Sequence, residues 1–134
     1  MATFKLEVIT PQKKVLEQDA DFVMMRTTEG DMGILAGHAP IVAELAIGEM
    51  KIKNNGEEVV YFVSGGFLDV STERTLILAD EAMDIREIDV ERSKKEAELA
   101  KQKLTKLKED RDIAITQKAL QEALTKVRLA EQHL

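Results

Sequence analysis

Hydrophobic and polar positions alternate along the first part of the chain and then change period. Phe4, Leu6 and Val8 interleave with Lys5 and Glu7, the period-2 signature of a half-buried strand. Thr10-Pro11 closes that strand, because proline lacks the N–H that a ladder needs. Lys13 to Leu16 predicts a short return strand, and Asp21 to Thr28 another, with Phe22 to Met25 as a continuous apolar run. Glu29 to Gly33 reads as a turn segment, followed by apolar pieces cut by Gly37 and Pro40. Ile41 to Ile47 fits a strand pair or one irregular strand. The clearest hairpin runs from Gly48 to Val63 about Asn54-Asn55-Gly56, a strong reversal signal. Ser64-Gly65-Gly66 is expected to break its second arm. Phe67 to Val70, the polar turn Ser71 to Arg74 and Thr75 to Ala79 complete the series. Many short strands with closely spaced turns predict a sandwich or barrel.

After Asp84 the pattern becomes helical. The last 50 residues contain no Gly or Pro and are rich in Ala, Leu, Lys, Glu and Gln. Asp89 is placed to cap a first helix. Ala97, Ala100, Leu104 and Leu107 step by three and four along it. Lys108 to Asp112 interrupts the stripe, and Asp112 could cap a second helix. There Leu120, Ala123, Val127, Ala130 and Leu134 repeat the spacing. Two such stripes and a short polar link predict an antiparallel hairpin. The expected organisation is a mostly β sandwich over 1–85 and an α-helical hairpin over 86–134. Alanine-rich stripes bury little area, so the hairpin should be marginal by itself and able to repack. A hairpin docked permanently has the same period.

Charge divides along the same boundary. Residues 1–85 carry 15 acids and 7 bases, whereas 86–134 carry 12 bases and 10 acids. A mildly basic arm on an acidic body lacks the concentrated field of a nucleic-acid binder, and only 4% of residues are aromatic, too few for base stacking. No cysteine is present, which removes thiolate chemistry and cysteine-bound zinc. No apolar run reaches the length of a membrane span, and the N-terminus lacks a signal-peptide pattern.

Catalytic chemistry finds no constellation. The two histidines are His38, in a glycine-rich loop, and His133, one residue from the end. Neither has a nucleophile and acid arranged around it. Asp19 and Asp21 lie two apart and on a strand would share one face, which could bind a cation, but surface acids often make that pattern by chance. No phosphate loop or dinucleotide fingerprint occurs, and no cofactor is required. The body offers packing and surface.

Two segments carry a resemblance. One is Gly30-Asp31-Met32-Gly33-Ile34-Leu35-Ala36-Gly37-His38-Ala39-Pro40, with Ala36 where a proline is usual. The other is Val63-Ser64-Gly65-Gly66-Phe67-Leu68-Asp69-Val70. With the strand into Thr10-Pro11 and the Ile77-Leu78-Ala79 stretch, the chain resembles the epsilon subunit family of bacterial F-type ATP synthases over essentially its full length. The resemblance implies a sandwich of about ten strands that binds the gamma subunit and the c-ring. It implies a helical arm that reaches the alpha/beta catalytic head and blocks ATP hydrolysis. The expected role is a non-catalytic central-stalk subunit of a proton-translocating synthase, peripheral to the cytoplasmic face of a bacterial membrane. The rotor-facing candidates are Gly30, Gly33, Ile34, Leu35, His38, Pro40, Ser64, Gly65, Gly66 and Phe67. Arg111, Lys118, Lys126 and Arg128 are candidates for contacts of the arm with acidic surfaces. A stand-alone adaptor, or an ATP-responsive binding protein using the hairpin, is the alternative.

Some members of the family bind regulatory ATP through an Ile/Leu-Asp-x-x-Arg-Ala motif. Here the segment is Ile88-Asp89-Val90-Glu91-Arg92-Ser93, with Ser93 in place of alanine. The further arginines of binding members correspond to Leu99, Glu122 and Lys126, of which one is basic. Ile88, Asp89, Arg92 and Lys126 are the candidate nucleotide residues. In the competing reading Asp89 is a helix cap and Arg92 a surface residue.

Overall fold

The computed structural model describes residues 2–134. They form two compact units, one ending at Asp84 and the other spanning Ile85–Leu134.

The first unit is built from β1 (Phe4–Ile9), β2 (Lys14–Ala20), β3 (Phe22–Thr27), β4 (Gly30–Leu35), β5 (Ile41–Asn54), β6 (Glu57–Val70) and β7 (Arg74–Asp84). Their order is β2-β1-β7-β6-β5-β3-β4, antiparallel except for β1 beside β7. The seven strands fold over one core, and β2 comes back against β5. Leu6, Val23, Ile34, Met50, Leu68 and Ile77 meet in it, drawn from six strands. This is the expected sandwich, with fewer and longer strands than the ten anticipated. Glycines that read as breaks in the sequence are bends. β5 passes through Gly48, where residues 46–49 lie opposite Arg26 alone, between the pairs Met25↔Met50 and Thr27↔Leu45. Any side chain at 48 would come within 2.9 Å of the Arg26 Cβ.

β6 likewise runs through Gly65-Gly66 and keeps its register with β7 from Tyr61↔Asp84 to Val70↔Thr75. Gly66 has φ 102, and a Cβ there would collide with the Leu78 carbonyl and lie 2.8 Å from the Ala79 Cα. Gly30 to Gly33, expected as a turn, belong to β4, because Met32 and Ile34 pair with Met25 and Val23 across β3. The reversal needs only Thr28-Glu29, braced by the Thr27 hydroxyl donating to the Gly30 carbonyl at 2.7 Å.

β1 is held on both sides by charge as well as by ladder bonds. Glu7 is nearly buried and meets Arg74 at 3.1 Å and Lys14 at 3.0 Å. Lys14 and Lys5 each reach Glu17 at 2.7 Å. The hydrogen bond from Lys14, then that from Lys5, lowers the Glu17 pKa to about 2. The same contact with Glu17, followed by that with Glu7, raises Lys14.

The second unit comprises a 3-10 turn η1 (Ile85–Glu87), α1 (Val90–Leu104) and α2 (Asp110–His133). Asp89 caps α1 as its position suggests, its carboxylate accepting from the Arg92 amide at 3.1 Å. α1 ends before Leu107, because the Thr105 hydroxyl donates back to the Gln102 carbonyl at 2.7 Å. α2 starts at Asp110 with Glu109 as N-cap, three residues before the start that a cap at Asp112 would give. Asp110 and Asp112 instead occupy the first turn, where the helix dipole favours negative charge.

The helices pack as an antiparallel pair. Ser93, Ala97 and Ala100 are buried along α1, with Leu104 half-buried. Thr116, Ala123 and Ala130 are buried along α2, and half-buried Leu120 and Val127 alternate with them. Both stripes repeat by fours and threes, the 3.5-residue period of a coiled-coil seam.

Candidate functional site

The outward face of the sheet is apolar where an ordinary sandwich would be polar. Backbone pairing places Ile9 of β1 beside Leu78 of β7, Leu78 beside Phe67 of β6, and Phe67 beside Glu44 of β5. Two residues further along, Leu76 pairs with Asp69 and Asp69 with Val42. Val42 is 69% exposed, Phe67 54% and Leu78 45%. Three large apolar side chains on one surface, held by neighbouring strands, form an exposed apolar patch of the kind that interaction sites present.

A groove of about 580 Å³ opens between Ile9-Thr10-Pro11, Gly65-Gly66-Phe67 and Leu78-Ala79, with the carboxylate residues Glu44 and Asp80 in its lining. The close passage of Gly66 over β7 sets its shape. Sequence reasoning found Gly65, Gly66 and Phe67 but missed Ile9, Val42 and Leu78. The available signal was that Ile77-Leu78-Ala79 and Ile41-Val42-Ala43 are apolar on both phases of the alternation.

The other rotor-facing candidates divide. Leu35 is 60% exposed at the end of β4, and Gly37 turns the chain at φ 81. The His38 amide donates to the Leu35 carbonyl at 3.1 Å, and its ring Nδ1 donates to the Ala39 carbonyl at 2.7 Å, so the loop is internally tied. Pro40 is exposed, Gly30 and Gly33 lie on the edge strand β4, and Gly33 passes beside the Phe22 ring. Ile34 and Ser64 are corrections. Ile34 is 1% exposed and belongs to the core, since even positions of β4 point inward; Ser64 is also fully buried. Neither offers a contact surface.

In the second unit Arg111, Lys118 and Arg128 are exposed on α2 and Lys126 is half-buried. The nucleotide candidates are already engaged. Asp89 caps α1, Ile88 is buried, and the Arg92 Nε donates to Glu96 at 2.9 Å. Among the described residues no group of three or more His, Cys, Asp or Glu could hold a metal ion. Asp21 accepts from the Asn55 amide at 2.9 Å, which ties it to the β5–β6 hairpin turn.

A rigid sandwich with a shaped apolar face, joined to a thin two-helix arm, defines an interaction module. The chain belongs to the ATP synthase delta/epsilon chain family, whose β-sandwich domain matches residues 3–85. It is a non-catalytic coupling and regulatory chain.

The epsilon chain of a sodium ion specific ATP synthase from Propionigenium modestum is 71% identical over 100% of this chain and 98% of that one. The ATP synthase epsilon chain of Nitratidesulfovibrio vulgaris strain DP4 is 41% identical over 92% of each. Among solved structures, a chain in the mitochondrial ATP synthase of Euglena gracilis, seen with OSCP, F1 and the c-ring, has a TM-score of 0.81. Its identity is 29%, covering 99% of this chain and 83% of that chain. No helix among the described residues is long and apolar enough to cross a membrane.

Proposed function

We propose that this chain sits in the central stalk of a rotary ATP synthase, on the cytoplasmic face of the membrane. There it links the rotor to the ion-carrying ring through its sandwich and restrains ATP hydrolysis through its helices. The observation that carries this reading is the exposed row Leu78–Phe67 with Val42 beside it. These side chains gain by leaving water only when a partner covers them. The gamma subunit is the partner for this face, and the glycine-bearing edge β4 with Leu35 is directed to the c-ring. Arg111, Lys118 and Arg128 give the arm charge with which to orient on acidic catalytic subunits.

The test is co-purification of gamma with the full chain and with a Phe67→Ala/Leu78→Ala variant, followed by hydrolysis assays of the assembled complex. The variant should keep its fold and lose gamma by at least about tenfold in affinity. Removing residues 90–134 should leave gamma binding intact and raise hydrolysis. Retention of gamma by the double variant removes the face from the interface.

Regulatory ATP on Ile88, Asp89, Arg92 and Lys126 would have to share Arg92 with Glu96, which its Nε already meets at 2.9 Å, so an ATP titration that leaves Arg92 unchanged sinks it. The Propionigenium modestum relative is sodium ion specific, and the proton expected from the sequence is tested against Na⁺ by the ion dependence of hydrolysis.

A further inference from the structure

Packing quality is unevenly distributed along the hairpin. At the end near the interhelix link, Leu104 and Leu107 are only half-buried and Ile115 is 58% exposed. At the opposite end Ile85 and Ile88 are buried, and so are Leu129 and Ala130 on α2. α2 packs on η1 as well as on α1, and with antiparallel helices its last turns are the ones that reach η1. The lengths agree: 24 residues of α2 run about 36 Å and 15 of α1 about 22 Å at 1.5 Å per residue, so α2 extends beyond the start of α1. Lys94 adds a 4.0 Å contact to Glu131 in the same region.

The ends differ in what they control. Near the link the chain itself keeps the helices together, so loss of a contact there lets the tip fray and little more. At the base the only covalent tie runs the whole length of the hairpin, and closing that long loop depends on side-chain contacts. We propose that η1 and the last turns of α2 form the latch of the arm. Ile85, Ile88, Leu129 and Ala130 hold the hairpin shut, and opening begins there. The thin seam of Ser93, Ala97, Ala100 and Thr116 then has little left with which to keep the helices paired. This rests on the reading of the helices as an arm that opens.

Hydrogen exchange of the full chain, followed by mass spectrometry, tests the latch without any partner. Leu129→Ala and Leu104→Ala remove the same atoms at opposite ends. Leu129→Ala should accelerate exchange across both helices by at least about tenfold, and Leu104→Ala should accelerate only amides near the link, by less than about threefold. Equal effects of the two variants, or acceleration confined to the last turn of α2, would overturn the proposal. If Leu129→Ala also exposes the amides of β1 to β7, Leu129→Val is read by the same criterion. Hydrolysis of the assembled complex is scored separately. An opened hairpin that leaves hydrolysis unchanged keeps the latch and rejects the inhibitory role.

Discussion

The sandwich and the hairpin are held by different kinds of contact. In the sandwich, large side chains from distant parts of the chain are wholly enclosed: Leu6 and Val8 of β1, Ile52 of β5, Leu68 of β6, Ile77 of β7. Each is worth about 2 kcal/mol of burial, and none can be withdrawn without leaving a cavity. In the hairpin the enclosed residues of the seam are mostly alanines with Ser93 and Thr116 among them. Each contributes little, and the helices keep their own backbone hydrogen bonds when they part. One unit is therefore suited to carry a docking face that does not deform. The other has a seam thin enough for the opening proposed above. The difference teaches that one chain can hold two kinds of packing in separate units, as the division of coupling and regulation proposed above requires.

The contrast can be broken from the sandwich side first. Gly66→Ala should be the most damaging change, costing about 3 kcal/mol or more, because its Cβ has no space beside Leu78 and Ala79 and φ is 102. Urea denaturation should show the loss in the β-sheet transition, together with weakened partner binding through the adjoining groove. A mild effect would show that β6 and β7 can separate at this point.

A smaller change sharpens the hairpin side. Asp89→Ala removes the side chain that accepts from the Arg92 amide and should cost α1 about 1 kcal/mol. Exchange of the first-turn amides should rise while the sheet stays protected. Spread of the effect into β1 to β7 would mean that the units fold as one.

The smallest effect is electrostatic. The pKa of Glu17 is lowered from 4.5 to about 2 by its lysine partners. Its contribution to stability is present above the unfolded value and is lost as pH falls from 4.5 through about 2. Thermal melts of the chain and of Glu17→Gln should converge across that window and separate above it, with less separation in high salt because the group is exposed. A constant difference at all pH values would detach Glu17 from the stability of the sandwich.

Much of this arrangement was legible in the sequence. Period-2 alternation in β1 and the Asn-Asn-Gly reversal between β5 and β6 are local, and so is the cap at Asp89. The glycines were legible as special but not in their role. Local rules read Gly65-Gly66 and Gly30 as ends of strands, whereas pairing with β7 and β3 continues through them. The exposed apolar face was half visible: Phe67 was found with its glycines, while Val42 and Leu78 looked like ordinary strand residues.

By itself the sequence determined the class of each unit, the boundary near residue 85 and the absence of catalytic chemistry. Those follow from composition and from periods that repeat within a few residues. The tertiary structure alone decided that β1 lies parallel to β7, and that Ile34 turns inward while Leu78 turns outward. It also decided that Ile85, Ile88 and Leu129 are buried while Ile115 stays exposed. Such outcomes depend on which strand or helix becomes the neighbour, and a side chain's environment is set by residues tens of positions away that no local period records.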